Sequence, residues 1–351
     1  MNIAILLSGG VDSSVALALL KEQGYNLTAY YLKIWLEDDM AFMGNCPWEE
    51  DLFYATEVCQ KLDVPLKTID LQKEYYDLIV SYTISELKMG RTPSPDVLCN
   101  RNIKFGKFIE KIDNSFDKIA SGHYADIIEI NGKYYLKQSP DKIKDQTYFL
   151  NYLTQEQLKR LVFPIGKLNK KKVRELANKY DLPTKNRKDS QGICFLGKIK
   201  YSEFVWYHFG EKNGEIIDIN NGKVLGYHKG YWYYTIGQRQ GMGLGAGPWY
   251  VVRKDIEKNQ IFVSNDKNQI PVVRDKFKLS NINWIPEKPD KTSFEVKLRH
   301  GPKKYICNIE WIDELSLIVK LNENDQGIAP GQFAVLYDGD YCIGGGIIDI
   351  L

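Results

Sequence analysis

The sequence is poor in the features that mark exported or membrane chains. No apolar run approaches the roughly 18 residues that cross a bilayer. No signal or transit segment is expected, because the first apolar stretch already begins at Ile3. Cysteine is scarce, with six in 351 residues, and no two form a C-x-x-C pair. That excludes a disulfide scaffold and argues against a zinc ribbon. The expectation is a chain of the reducing cytoplasm, without a membrane partner, where a special cysteine is reactive rather than structural. Excess charge is missing too. A net charge of +2, with 44% apolar and 26% charged residues, describes an ordinary globular protein of two or three domains. There is no internal repeat. Finally, no lysine lies between Ser8 and Lys21, which excludes a Walker A loop there.

What stands in that place is Ser8-Gly9-Gly10-Val11-Asp12-Ser13-Ser14. An apolar run, Ile3 to Leu7, precedes it, and a helix-forming run, Val15 to Lys21, follows. A strand, a Gly-rich turn and a helix start aim backbone amides at one spot and favour an anion there. Strand and helix patterns then alternate to about residue 125. Strands are expected at 27–34, 64–69 and 118–122. Helical faces are carried by Leu52, Ala55, Cys59 and Leu62, by Tyr76, Ile79, Val80, Thr83 and Leu87, and by 102–112. Gly90 to Asp96, with two prolines, reads as a loop. This predicts a doubly wound parallel sheet over residues 1–208.

Asn131-Gly132 predicts a hairpin turn between 127 and 135. Residues 167–188 hold nine Lys/Arg against two acids, a net +7 that reads either as a solvated face or as a track for a phosphate backbone. Asn169 is a helix cap before the stripe Val173, Leu176, Ala177 and Tyr180. Residues 209–272 are Gly-rich and aromatic and read as a small β-rich central domain, with strands expected at 230–234 and 249–252. From 273 to 351 apolar and polar residues alternate at period two in five segments, which predicts an antiparallel β-barrel.

Two cysteines have unusual neighbours. Cys99 follows Pro93-Ser94-Pro95-Asp96-Val97-Leu98, and Cys194 sits in Asp189-Ser190-Gln191-Gly192-Ile193-Cys194-Phe195. A thiolate near cations or a helix start becomes nucleophilic at neutral pH. Residue type alone does not single these out from Cys46, Cys59, Cys307 and Cys342.

The Ser8–Ser14 loop resembles the pyrophosphate loop of the ATP pyrophosphatase superfamily. The whole chain resembles the tRNA-specific 2-thiouridylase family. Blocks at 8–14, 90–100, 122–125, 144–150, 189–195, 235–245, 248–251 and 330–337 carry that likeness in order. The resemblance implies a reaction: ATP adenylates the C2 oxygen of the wobble uridine of tRNA, and sulfur from a cysteine persulfide replaces it. Leu6, Leu7, Ser8, Gly9, Gly10, Val11, Asp12 and Ser13, with Leu32 and Gly122, would hold ATP and magnesium. Cys99 would be the nucleophile and Cys194 the persulfide carrier, loaded by a cysteine desulfurase or a sulfur relay protein. Asp96 would serve a thiol or the base. Ser94, Pro95, Asp96, His123, Lys144, Asp145, Gln146, Arg299, His300 and Gln332 would meet the tRNA anticodon stem-loop.

Three positions depart from the family pattern: Ser94 for Asn, Leu32 for Met and His300 for Tyr. None removes a group that the chemistry requires. Two sulfur routes stay open, a persulfide or an iron–sulfur cluster on Asp96, Cys99 and Cys194. Another ligase of the superfamily acting on tRNA, or a tRNA-binding protein with an inactive nucleotide site, is the alternative.

Overall fold

A computed structural model describes residues 1–34, 47–189, 200–245, 247–265, 275–325, 327–349 and 351. The first strands alternate with helices, as the hydrophobic pattern requires. They are β1 (Asn2–Leu6), β2 (Asn26–Lys33), β3 (Leu66–Asp70) and β4 (Lys118–Ala120), joined later by β7 (Leu161–Val162). All pair in parallel, in the order β3-β2-β1-β4-β7. Ile3, Ala4 and Ile5 are buried because helices cover both faces of the sheet. One helix, Val11–Glu22, packs beside Pro47–Leu62 and Lys170–Lys179.

The prolines of the 90–96 stretch do not keep helix out. Helix begins at Pro95 and continues through Pro95–Leu98, Cys99–Lys107 and Phe108–Lys111, the middle piece π-helical. Proline suits the first helical position, where its missing N–H would have no partner.

The hairpin β5 (Ala125–Ile130) and β6 (Lys133–Gln138) turns at Asn131, whose φ is +52°, and Gly132. It does not join the parallel sheet. Strand β6 pairs with the last strand of the chain, Tyr341 facing Lys137 and Cys342 facing Leu136.

The central domain is a four-stranded sheet of β8 (Gly214–Asp218), β9 (Val224–His228), β10 (Tyr250–Asp255) and β11 (Gln260–Ser264). Tyr231–Tyr233 is a single 3₁₀ turn rather than the expected strand. A strand would send successive rings to opposite faces. The turn buries both Tyr231 and Trp232 and sends the Tyr231 hydroxyl to the Lys88 carbonyl at 2.7 Å.

The period-two tail forms β12 (Lys276–Trp284), β13 (Ser293–Lys297), β14 (Tyr305–Trp311), β15 (Ser316–Leu321), β16 (Phe333–Asp338) and β17 (Tyr341–Asp349). They run antiparallel as β12-β15-β14-β13-β16-β17, and β12 pairs with β17 to close a six-stranded barrel. Strand β16 is apolar on both faces. Ala334 and Leu336 fill the barrel, while Phe333, Val335 and Tyr337 pack outward in the cluster that includes the parallel-sheet domain. No helix among the described residues is long and apolar enough to cross a membrane.

One of the ion pairs between barrel and parallel-sheet domain is fully buried. Lys297, on β13, donates to Asp145 Oδ2 at 2.9 Å, with both side chains almost wholly excluded from solvent. Asp145 also accepts from Gln138 Nε2, the Ser139 amide and the Thr147 hydroxyl. Every lone pair is used, so removing one partner strands a buried charge. Lys297→Met is expected to lower unfolding stability by about 3–5 kcal/mol in denaturant titration; a loss under about 1 kcal/mol would contradict this role.

Burial also holds the His123 imidazole well below its ordinary value, with the Lys104 charge acting the same way. The folded chain therefore keeps His123 neutral while the unfolded chain takes up a proton below about pH 6.5. Stability is full above that pH and falls as pH drops through it, by at most about 1.4 kcal/mol per unit from this residue. In acid titrations followed by thermal melting, His123→Gln is expected to flatten that slope; an unchanged slope would show that His123 is not the group responsible.

Candidate active site

Strand β1 lies between β2 and β4, the point where the strand order reverses, and the Gly-rich loop leaves its C-terminal end there. In open α/β sheets this crevice is where ligands bind. Gly9 has φ +73°, and a Cβ on it would meet the Asp51 carbonyl oxygen at 2.2 Å. A Cβ on Gly122 would meet the Ser13 amide nitrogen at 2.6 Å. Both positions admit only glycine without a backbone shift.

The loop is closed by its own hydroxyls. Ser13 Oγ accepts from the Ser8 amide at 3.3 Å and donates to the Gly10 carbonyl at 3.1 Å, and Ser14 Oγ donates to that carbonyl at 2.8 Å. Leu6, Leu7 and Val11 are buried, so any contact they offer a nucleotide is through backbone. Leu32 packs, partly buried, against the core. Ser8 is exposed at the mouth.

Charged side chains surround this turn. Asp12 accepts from the Tyr124 hydroxyl at 2.7 Å and from Lys170 Nζ at 2.8 and 3.0 Å. Lys170 also reaches Asp189 at 2.8 Å, and Asp189 takes Lys144 at 2.7 Å and Arg174 at 2.5 Å. Burial alone would raise the Asp189 carboxyl, but bonds from Lys144 and Lys170 outweigh it and hold the group far below the usual carboxylate range. Arg187 donates to the Gly9 carbonyl at 2.8 Å and pairs with Asp51.

The basic segment thus divides. Lys167 is 80% exposed, whereas Lys170, Arg174 and Arg187 turn inward to the loop. Sequence reading assigned no role to Lys170, Tyr124 or Asp189, and only the chain fold brings them beside Asp12. The group that could hold magnesium is Asp12, at the mouth of the loop. Magnesium is bound by one or two carboxylates plus substrate phosphates, and this arrangement fits that demand. Among the described residues no cluster of three His, Cys, Asp or Glu forms a metal cage.

The second half of the site is the start of the Cys99 helix. All three domains hold the segment before it. Arg91 pairs with Glu86 at 2.8 Å and with Asp349 of the barrel at 2.5 Å. The Thr92 amide donates to the Pro330 carbonyl at 2.8 Å, and Gln332 Nε2 donates to the Thr92 and Pro93 carbonyls. From the central domain, Lys254 Nζ donates to the Gly90 carbonyl at 2.9 Å and Thr235 meets the Thr92 hydroxyl. Ser94 and Pro95 are buried, Asp96 is half-buried, and Cys99 is 1% exposed. Cys194 lies outside the described residues, as do its neighbours 190–199.

Contacts connect the two halves. The Tyr124 amide donates to Gln146 Oε1 at 2.9 Å, and the next residue back, Asp145, meets His300 Nε2 through its carbonyl at 3.1 Å. The His300 ring stacks on Phe149, centroids 4.7 Å apart, and the Phe149 carbonyl accepts from Asn100 Nδ2, beside Cys99. Several expected contacts with a nucleic acid are placed otherwise. Asp145 is buried in its bond to Lys297, His123 lies among Phe105 and Phe163 with its Nδ1 on Ser121, and Gln332 is committed to the Thr92 and Pro93 carbonyls. These three side chains shape the site from within. Arg299, though paired with Asp325, and His300 are exposed, and Lys144 is half-buried at the rim.

Three family patterns cover the chain in succession. A tRNA methyl transferase HUP domain matches residues 1–198, a tRNA methyl transferase PRC-barrel domain 202–265, and an aminomethyltransferase beta-barrel domain 274–348. The chain is 45% identical over 355 residues to the tRNA-specific 2-thiouridylase MnmA of Parabacteroides distasonis, covering 99% of each chain. It is 43% identical over 359 residues to that of Porphyromonas gingivalis, again covering 99% of each. It is 45% identical over 355 residues to MnmA 2 of Bacteroides fragilis, covering 99% of this chain and 100% of the relative. With the sheet, the central domain and the closed barrel in the order those patterns describe, the chain belongs to the tRNA-specific 2-thiouridylase family.

Proposed function

We propose that this chain uses ATP to replace the C2 oxygen of the wobble uridine in tRNA with sulfur. One observation carries the reading: a glycine-rich anion loop at the sheet's switch point is tied, through Gln146, His300 and Phe149, to a buried cysteine at a helix start. The full-length relatives, whose names state 2-thiouridylation of tRNA, support it.

The uracil C2 oxygen is a poor leaving group, and adenylation makes it part of AMP, a good one. In the proposed order, the oxygen attacks the α-phosphorus of ATP and pyrophosphate departs into the loop at Ser8–Ser13. Its amides and hydroxyls stabilise the charge that develops on the leaving oxygens. Magnesium, when bound at Asp12, would neutralise phosphate charge. The base must leave the anticodon stack to reach Cys99. His300, an exposed ring already stacked on Phe149, offers a platform for it.

Sulfur comes from a persulfide on Cys194, supplied by a cysteine desulfurase or a sulfur relay protein. The terminal sulfur attacks C2 and AMP leaves with the original oxygen. The Cys99 thiolate attacks the inner sulfur of Cys194, either releasing hydrosulfide for that attack or freeing the sulfur after it. Either order forms a Cys99–Cys194 disulfide, which a thiol reductant returns to two thiols by supplying two electrons. Ser94, Pro95 and Asp96 lie at the start of the Cys99 helix and would face the base.

The test is nucleoside mass spectrometry of tRNA incubated with the protein, ATP, magnesium and a persulfide donor. The expected result is 2-thiouridine with wild type and none with Cys99→Ala or Cys194→Ala. Full thiolation by both variants would contradict the assignment.

A further inference from the structure

The anion loop carries no lysine of its own, yet the leaving group assigned to it bears several negative charges. Asp12 adds another at its mouth. A cation must come from elsewhere, and the fold brings several candidates close.

Arg187 is committed: its guanidinium spans the Gly9 carbonyl and Asp51. Arg174 is committed as well, donating to the Lys185 and Arg187 carbonyls as well as to Asp189. Lys144 reaches Asp189 and belongs to the rim. Lys170 differs from all of these. Its backbone is pinned at the first turn of Lys170–Lys179, where its amide donates to Asp141 Oδ2 at 3.0 Å and Asn169 caps the helix. Its side chain is only 16% exposed, and its ammonium bridges Asp12 and Asp189.

This arrangement permits an exchange without an orphaned charge. If Lys170 turns from Asp12 to a phosphate oxygen, Asp12 keeps the Tyr124 hydroxyl, and Asp189 keeps Lys144 and Arg174. A flexible ammonium with three rotating donors suits that change of partner better than a planar guanidinium.

We propose that Lys170 is the side chain that binds the phosphates of the nucleotide at this loop, with Asp12 and Asp189 as its partners when the loop is empty. The proposal rests on the nucleotide reading above and adds to it the residue that takes the place of a loop lysine.

The experiment is equilibrium binding of inorganic pyrophosphate and of magnesium-ATP to the full chain, with tRNA affinity measured in parallel. Lys170→Met and Lys170→Gln are both made; Gln keeps a donor for Asp12 and guards against a failure to fold. Both are expected to weaken pyrophosphate and ATP binding by about tenfold or more, as loss of a charge-assisted bond does, with tRNA affinity unchanged. Asp189→Asn, which removes a resting charge partner of Lys170 together with those of Lys144 and Arg174, is expected to bind pyrophosphate at least as tightly as wild type.

Wild-type affinity in both Lys170 variants would overturn the proposal. So would an equal loss in Asp189→Asn, which would make Lys170 a structural brace. A wild-type chain that binds neither pyrophosphate nor ATP would overturn the nucleotide reading itself, and this proposal with it.

Discussion

The buried contact between Lys297 and Asp145 sets the geometry on which the site depends. Few domain contacts are so constrained. Two charges are removed from water, and each remaining lone pair is met by Gln138, Ser139 or Thr147. Such a pair is weak evidence for net stability, because desolvation offsets its attraction. Its effect is on orientation. Lys144 and Gln146, on either side of Asp145, face the Gly-rich loop through Asp189 and Tyr124. Three residues after Lys297, His300 comes to lie on Phe149. Fixing one ion pair therefore fixes the distance between the loop and the ring beside the Cys99 helix.

The same logic governs residues 86–94. A loop that holds Pro93 and enters a helix at Pro95 has few backbone bonds of its own, so its carbonyls need outside donors. Gln332 from the barrel and Lys254 and Tyr231 from the central domain supply them. The cost of burying Lys254 is visible in its ammonium, which is pushed down to about 8. Cys99 follows directly, so its position is decided jointly by three domains rather than by its own helix.

Much of this was legible in the sequence, for physical reasons. Alternating strand and helix patterns gave the parallel sheet, Gly9 marks a close backbone approach, and period-two alternation predicted the barrel; the tight approach at Gly122 shows only in the fold. Adjacent residues mislead where a turn sends them apart. Lys144, Asp145 and Gln146 share a motif, yet one faces a carboxylate at the loop, one the barrel and one the Tyr124 backbone. The hairpin at Asn131-Gly132 was readable, but its partner strand, some 200 positions away, was not. Nor does a run of basic residues show which of its members turn inward. Lys170 and Lys167 look alike in sequence, yet Lys170 opens the helix beside Asp12 and Asp189, whereas Lys167 lies before it, near Asp126.

The central claim is that the loop serves to activate an uracil oxygen, and the fate of that oxygen tests it most directly. Transfer RNA carrying heavy oxygen at C2 of the wobble uridine can be taken through a single turnover with ATP and a persulfide donor, and the products weighed. The account predicts heavy oxygen in the phosphate of AMP, one atom for each 2-thiouridine formed. Thiolated tRNA accompanied by unlabelled AMP would contradict it.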